Sequence, residues 1–133
     1  MIMKWHLSVA AIAALIALGG TAEAGEVLTA GPSYGGAEQL VNGALVVCHL
    51  FNTGGAAAVI STRQLFNSSR GLITPVGNTC TSALAPQKSC DYYAKTGPGT
   101  YTCRVVLTEG TLAGTMEIYS STDQLLVSVP MIK

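Results

Sequence analysis

Charge is scarce in this chain. Lys, Arg, Asp and Glu together make up 11% of the 133 residues, less than half of the ~25% usual in globular domains. Seven positive side chains stand against seven negative ones, for a formal net charge of zero. That balance excludes the basic footprint of a nucleic-acid-binding protein, where Lys and Arg cluster on one surface. There is no acidic tail. Aromatics amount to 6%, with a single Trp at Trp5 and two His, His6 and His49. No GxSxG, P-loop or HExxH stretch occurs, so the short motifs of a nucleophile elbow, a phosphate cradle or a zinc protease are missing. Past residue 24, no window shows a sustained 3.6-residue apolar period bounded by caps, and long amphipathic helices are not expected. At this length one domain is expected.

What is present begins with an export pattern. Lys4 and His6 lie in a short polar start, and Leu7 to Leu18 form a run that is apolar except for Ser8. Gly19 and Gly20 break the run, and Ala22-Glu23-Ala24 supplies small residues two apart. Charge, apolar segment and small-residue site follow in the order of a secretory signal, which predicts cleavage after Ala24. A helix of that length spans ~18 Å, short of a ~30 Å hydrocarbon core. No membrane span is expected once the signal is removed. The residue directly after Ala24 is Gly25 and not Cys, so a lipid-anchored leader is not expected.

The four cysteines, Cys48, Cys80, Cys90 and Cys103, all lie beyond the leader. An even count in a small exported domain predicts two disulfides, with three pairings open. Successive separations of 32, 10 and 13 hold no close pair of the C-x2-C kind that a zinc site needs. No metal and no cofactor are expected. The implied compartment is oxidising, periplasmic or extracellular.

Short apolar or alternating segments recur between turn signals. Ala44–Phe51 is apolar on both faces, as a central strand would be. Asn52 to Gly55 form a turn cluster, and Val59–Phe66 is a second strand. Leu72–Val76 contains Pro75, which suits an edge. Ser89–Ala94, Thr100–Thr108 and Thr115–Tyr119 follow, and Leu125, Val127, Val129 and Met131 alternate along the last strand. In Thr100–Thr108, Tyr101, Cys103, Val105 and Leu107 point one way. About seven strands at roughly ten-residue spacing predict an all-β sandwich. The Gly-rich stretch Gly31–Gly36 has no Lys-Ser/Thr after it and is expected to be a flexible loop. The expected division is a signal peptide at 1–24, an N-terminal arm and loop at 25–43 with one weak strand, and a β-sandwich domain at 44–133.

The stretch G-T-Y-T-C-R-V around Cys103 resembles the Tyr-x-Cys of the sixth strand in immunoglobulin domains. Carried over, the resemblance makes Cys48 and Cys103 the inter-sheet disulfide and Tyr101 the tyrosine corner. The chain past the leader lacks the Trp that packs on that bridge in antibody domains. The wider pattern, CHLFN, then C-x3-LAP-x3-C, then GTYTCRVVL, is similar to a group of small exported bacterial proteins. These have an immunoglobulin-like two-sheet sandwich and no assigned activity, and the likeness runs from Leu45 to Pro130. Both Cys48 and Cys103 sit mid-strand in apolar stretches, which suits a bridge between sheets. Cys80 and Cys90 flank a turn at Ala85 to Lys88, and a reversing chain brings them within bridging range.

Candidate chemistry is sparse. His49 adjoins Cys48, but neighbours on a strand point to opposite faces. It is expected to share a face with Val47 and Phe51, with no triad partner in reach. None of Glu26, Glu38, Asp91, Glu109, Glu117 and Asp123 lies in a motif that marks a paired-carboxylate site. One of the adjacent pair Tyr92 and Tyr93 is expected to face solvent, where it suits sugar stacking. Asn67-Ser68-Ser69 matches an N-glycosylation acceptor. No catalytic residue is expected. The expected role is a secreted or periplasmic, non-catalytic binding or structural module, with a protein or glycan of the cell surface as its kind of partner. The alternative is a subunit of a pilus- or adhesin-type surface assembly that completes its sheet with a neighbour's strand.

Overall fold

The computed structural model describes residues 26–33, 44–97 and 99–133. The signal expected at 1–24 and all of the 34–43 stretch lie outside the described residues. Ten strands occur among the described residues: β1 (Val27–Ser33), β2 (Leu45–Asn52), β3 (Ala58–Asn67), β4 (Gly71–Ile73), β5 (Gly77–Asn78), β6 (Ala83–Leu84), β7 (Ser89–Lys95), β8 (Tyr101–Glu109), β9 (Leu112–Tyr119) and β10 (Leu125–Pro130). They form two five-stranded antiparallel sheets. Sheet A has the order β1-β8-β3-β4, with β6 also paired to β3; sheet B runs β10-β9-β2-β7-β5. The expected all-β two-sheet sandwich is the architecture found. Among the described residues no helix is long and apolar enough to cross a membrane.

Alternation builds the core. Tyr101, Cys103, Val105 and Leu107 of β8 are buried, while Thr102, Arg104 and Val106 are half-buried on the opposite face. Val46, Cys48 and Leu50 of β2 and Met116 and Ile118 of β9 close the core from the other sheet. The two expected disulfides are both formed. Cys48–Cys103 joins β2 to β8 across the layers with Cα atoms 5.9 Å apart, and Cys80–Cys90 has Cα atoms 4.8 Å apart.

Ten strands are described where about seven and one weak N-terminal strand are expected, for two reasons. The first is that the weak strand of the arm is formed as β1, which pairs with β8 along sheet A. Gly31, Pro32 and Ser33, expected in a loop, are its last residues. Gly31 holds a φ of +107°, and a Cβ there would lie 2.4 Å from the Tyr101 carbonyl oxygen; only glycine accepts both conditions. The second reason is that the expected Leu72–Val76 edge strand is cut short. Only Gly71–Ile73 pairs with β3; past Pro75 the chain crosses to sheet B as β5 and returns to sheet A as β6. Backbone bonds from Val76 N to Tyr93 O (2.9 Å), Thr79 N to Asp91 O (2.8 Å) and Ile60 N to Ser82 O (2.8 Å) fasten this crossing. Two-residue strands carry no period that sequence patterning could register.

The opposite edge is fastened at one point. Thr29 and Ile132 exchange backbone bonds of 2.8 and 2.9 Å, tying β1 of sheet A to the chain just past β10 of sheet B. Elsewhere β1 pairs with β8 alone and β10 with β9 alone, so each is an edge strand of its sheet.

Tyr101 is fully buried. Its hydroxyl donates to Gly97 O at 2.8 Å, accepts from the Gly97 amide, and accepts from Arg70 Nη2 at 3.2 Å. Tyr101→Phe strips both Gly97 backbone groups of their partner. An expected loss of about 1–3 kcal/mol follows from leaving such groups unpaired, measurable by urea denaturation. An unchanged midpoint would remove Tyr101 from the structural determinants. Asn67 has little exposure, and its Oδ1 accepts from Ser69 N and Arg70 N, each at 3.0 Å. The carboxamide of the Asn67-Ser68-Ser69 acceptor is thus built into a turn, and the folded chain does not present it for glycosylation.

Candidate functional site

The register of sheet B dictates which side chains share its outer face. Leu125, Tyr119, Leu45 and Lys95 lie in one row across β10, β9, β2 and β7. Ser128, Glu117, Val47 and Tyr93 form the next, and Pro130, Thr115, His49 and Asp91 the third. Ala113, Phe51 and Ser89 follow. The central strand β2 thus shows Leu45, Val47, His49 and Phe51 outward. The outer face of sheet A differs: its central part carries Thr29, Thr62, Gln64, Thr102 and Arg104, with Arg104 Nη1 donating to Gln64 Oε1 at 2.6 Å. One face is Thr-rich and basic; the other is aromatic and acidic.

His49 is the centre of the second face, and here the sequence expectation is corrected. Asp91 is its direct cross-strand neighbour on β7 and contacts Nδ1; Glu117 reaches over from β9, with Oε2 2.9 Å from Nε2. Tyr119 donates its hydroxyl to the same Glu117 oxygen. The hydrogen bond to this carboxylate pushes the Tyr119 phenol up to about 12. Asp91, His49, Glu117 and Tyr119 therefore form one continuous polar chain across three strands. Two carboxylates that carry no motif are brought to the two nitrogens of a histidine that had no visible partner.

Stability alone is a weak explanation for this chain. The His49 and Asp91 side chains are 37% and 40% exposed, and ion pairs of that exposure are worth about 0–1 kcal/mol. Nor does the set chelate a metal. The carboxylates lie on opposite nitrogens of one ring, and no group of three or more His, Cys, Asp or Glu among the described residues could hold an ion.

Two hollows meet at His49. The larger, about 300 Å³, is lined by Leu45, Val47, His49, Asp91, Tyr93, Tyr119 and Asp123. The smaller, about 200 Å³, is lined by His49, Phe51, Ser89, Ala113 and Thr115, among others. Of the adjacent tyrosines, Tyr93 is the outward one; Tyr92 is fully buried. Tyr93 lies over Gly77 of β5, where a Cβ would come within 2.1 Å of its ring. Gly77 thus leaves the room that lets the ring lie flat at the border of the larger hollow.

Tyr92 points the other way, into the core. Its hydroxyl donates to Arg104 O at 3.1 Å, and burial raises its phenol well above the ordinary tyrosine value, against the pull of the Arg63 charge. Both Tyr92 and Tyr119 thus hold their protons more tightly folded than unfolded. The stability this represents is complete below about pH 10, where free tyrosine titrates, and is lost as pH rises beyond it. The urea midpoint is expected to be level from about pH 7 to 9 and to fall between about pH 10 and 12. Tyr92→Phe should flatten part of that fall; a midpoint that rises in alkali would contradict the assignment.

Comparisons with protein-family models, with curated proteins and with solved structures found no match to this chain.

Proposed function

We propose that the protein is an exported, non-catalytic binding module of the immunoglobulin-like type, working in the periplasm or outside the cell, and that it binds through the outer face of sheet B. The observation that carries this reading is the Asp91–His49–Glu117–Tyr119 chain. It is set among Leu45, Val47, Phe51 and Tyr93 on a face that no other layer of the described residues covers. A large exposed surface that is part aromatic and part hydrogen-bonding is the composition of a recognition surface.

Several features support the individual parts. Export rests on the leader pattern and on two disulfides, which suit an oxidising compartment. The immunoglobulin-like type rests on the bridge between the sheets and on a tyrosine two positions before Cys103. Its hydroxyl returns to the backbone at Gly97. Non-catalysis rests on the carboxylates themselves: with one on each ring nitrogen, His49 has no free nitrogen to take a proton from a nucleophile. Each sheet is continuous across five strands of this one chain, which favours a self-contained module over a subunit completed by a neighbour's strand.

Amide hydrogen exchange of the mature protein, with and without the envelope fraction of the producing organism, tests the proposal. Slowed exchange is expected along β2, β7 and β9. Protection confined to β1, β3 and β8 would move the binding surface to the other sheet.

A further inference from the structure

We infer that the larger hollow on sheet B is a subsite for an arginine side chain presented by a partner polypeptide. The inference rests on the binding face proposed above and names what that face receives.

The hollow has three kinds of wall. Its floor is apolar, made by Leu45 and Val47 of β2, with Val47 almost fully buried. Its flanks are aromatic, Tyr93 on β7 and Tyr119 on β9. These strands are the two neighbours of β2, so the trough is roughly 10 Å wide at ordinary strand spacing. Its charged lining is Asp91 and Asp123 against His49, and Glu117 stands behind it, holding His49 and Tyr119. Lys95 stands at the end of the Leu45 row on the same face. Asp91 and Glu117 are shared with His49, whereas the Asp123 carboxylate has no ion-pair partner among the described residues.

The molecule's own arginines do not neutralise this excess. Arg63 and Arg104 belong to β3 and β8 of sheet A, and Arg70 lies in the turn after β3. The acidic hollow is left open to a cation from elsewhere. An anionic ligand is repelled by Asp91 and Asp123. A neutral ligand gains no charge pairing from Asp123.

Arginine fits all three walls. Its methylene stem covers an apolar floor while the head stays wet. Its guanidinium packs on tyrosine faces and presents a planar fork to carboxylates. An ammonium head lacks the fork, so lysine is expected to bind more weakly.

The test titrates the mature protein with a capped Gly-Gly-Arg-Gly-Gly peptide, its citrulline counterpart and maltohexaose, followed by amide chemical shifts. With the arginine peptide, shifts are expected in β2, β9 and the turn that carries Asp123. The uncharged citrulline peptide should bind at least tenfold more weakly. Asp123→Asn should weaken the arginine peptide several-fold with an unchanged urea midpoint, while Glu109→Gln, on sheet A, should not. Equal binding of the citrulline peptide would overturn the inference, as would no shift with the arginine peptide at millimolar concentration. Shifts on the sheet B face with maltohexaose alone would overturn the ligand class and leave the binding face standing. Shifts on sheet A alone would overturn both. Concentration-dependent shifts without peptide that vanish in Arg104→Gln would make the occupant a second copy of this chain and overturn the foreign partner.

Discussion

Cys48→Ala is expected to remove about 4 kcal/mol of stability or more, the largest effect of any single substitution considered. The Cys48–Cys103 bridge spans 55 residues and Cys80–Cys90 spans 10. On the chain-entropy account these loops restrain the unfolded state by about 4 and about 2.5–3 kcal/mol. Both are large against a total of ~5–15 kcal/mol. Packing adds to the difference. Cys48 and Cys103 are completely buried at the centre of the sandwich, and losing the sulfur also leaves a void between β2 and β8. Cys80 and Cys90 fasten the crossing from β5 to β6 onto β7, at the side of the core. Urea denaturation of Cys48→Ala/Cys103→Ala beside Cys80→Ala/Cys90→Ala, both without free thiols, measures the contrast. A larger loss in the second pair would mean that the edge crossing, and not the sheet-to-sheet bridge, holds the fold.

Asn52→Ala is expected to cost about 3–5 kcal/mol, from up to three backbone groups left without partners at about 1–3 kcal/mol each. Asn52 ends β2 and is completely buried. Its Nδ2 donates to Ala56 O and to Leu84 O, each at 2.8 Å, and its Oδ1 accepts from Gly54 N at 2.8 Å. One carboxamide thus folds the 53–57 turn back on the strand and fastens β6 beside it. Its own backbone is engaged too, with Lys88 O at 2.9 Å and Gln87 N at 3.0 Å, so the turn before β7 hangs on the same residue. Asn52→Asp should cost at least as much, since it replaces two donated bonds by a carboxylate facing two carbonyls. A loss below about 1 kcal/mol in either variant would show that water replaces the side chain there.

Asn52 also shows how far local patterning reaches. Asn-Thr-Gly-Gly signals a turn from composition alone, and a turn is there. That the Asn side chain is buried, and that it reaches Leu84 in another strand, depends on where β6 is laid down. The same holds for Tyr93: a doublet of tyrosines on a strand puts one out, but which one follows from the inward direction of Cys90 and Ala94.

The sequence by itself determined the all-β class, the positions of the long strands and the inward set of β8. Each rests on a period of two, which is local and needs no knowledge of neighbours. The tertiary structure alone decided the short crossing strands and the candidate site. Asp91 lies 42 residues from His49 in the chain, and Glu117 is further still. Their meeting depends on β7 and β9 flanking β2 in one particular register, and a slip of one residue would turn Asp91 or Glu117 into the core. Alternation tells each strand which face is wet; only long-range pairing tells a wet residue what stands beside it.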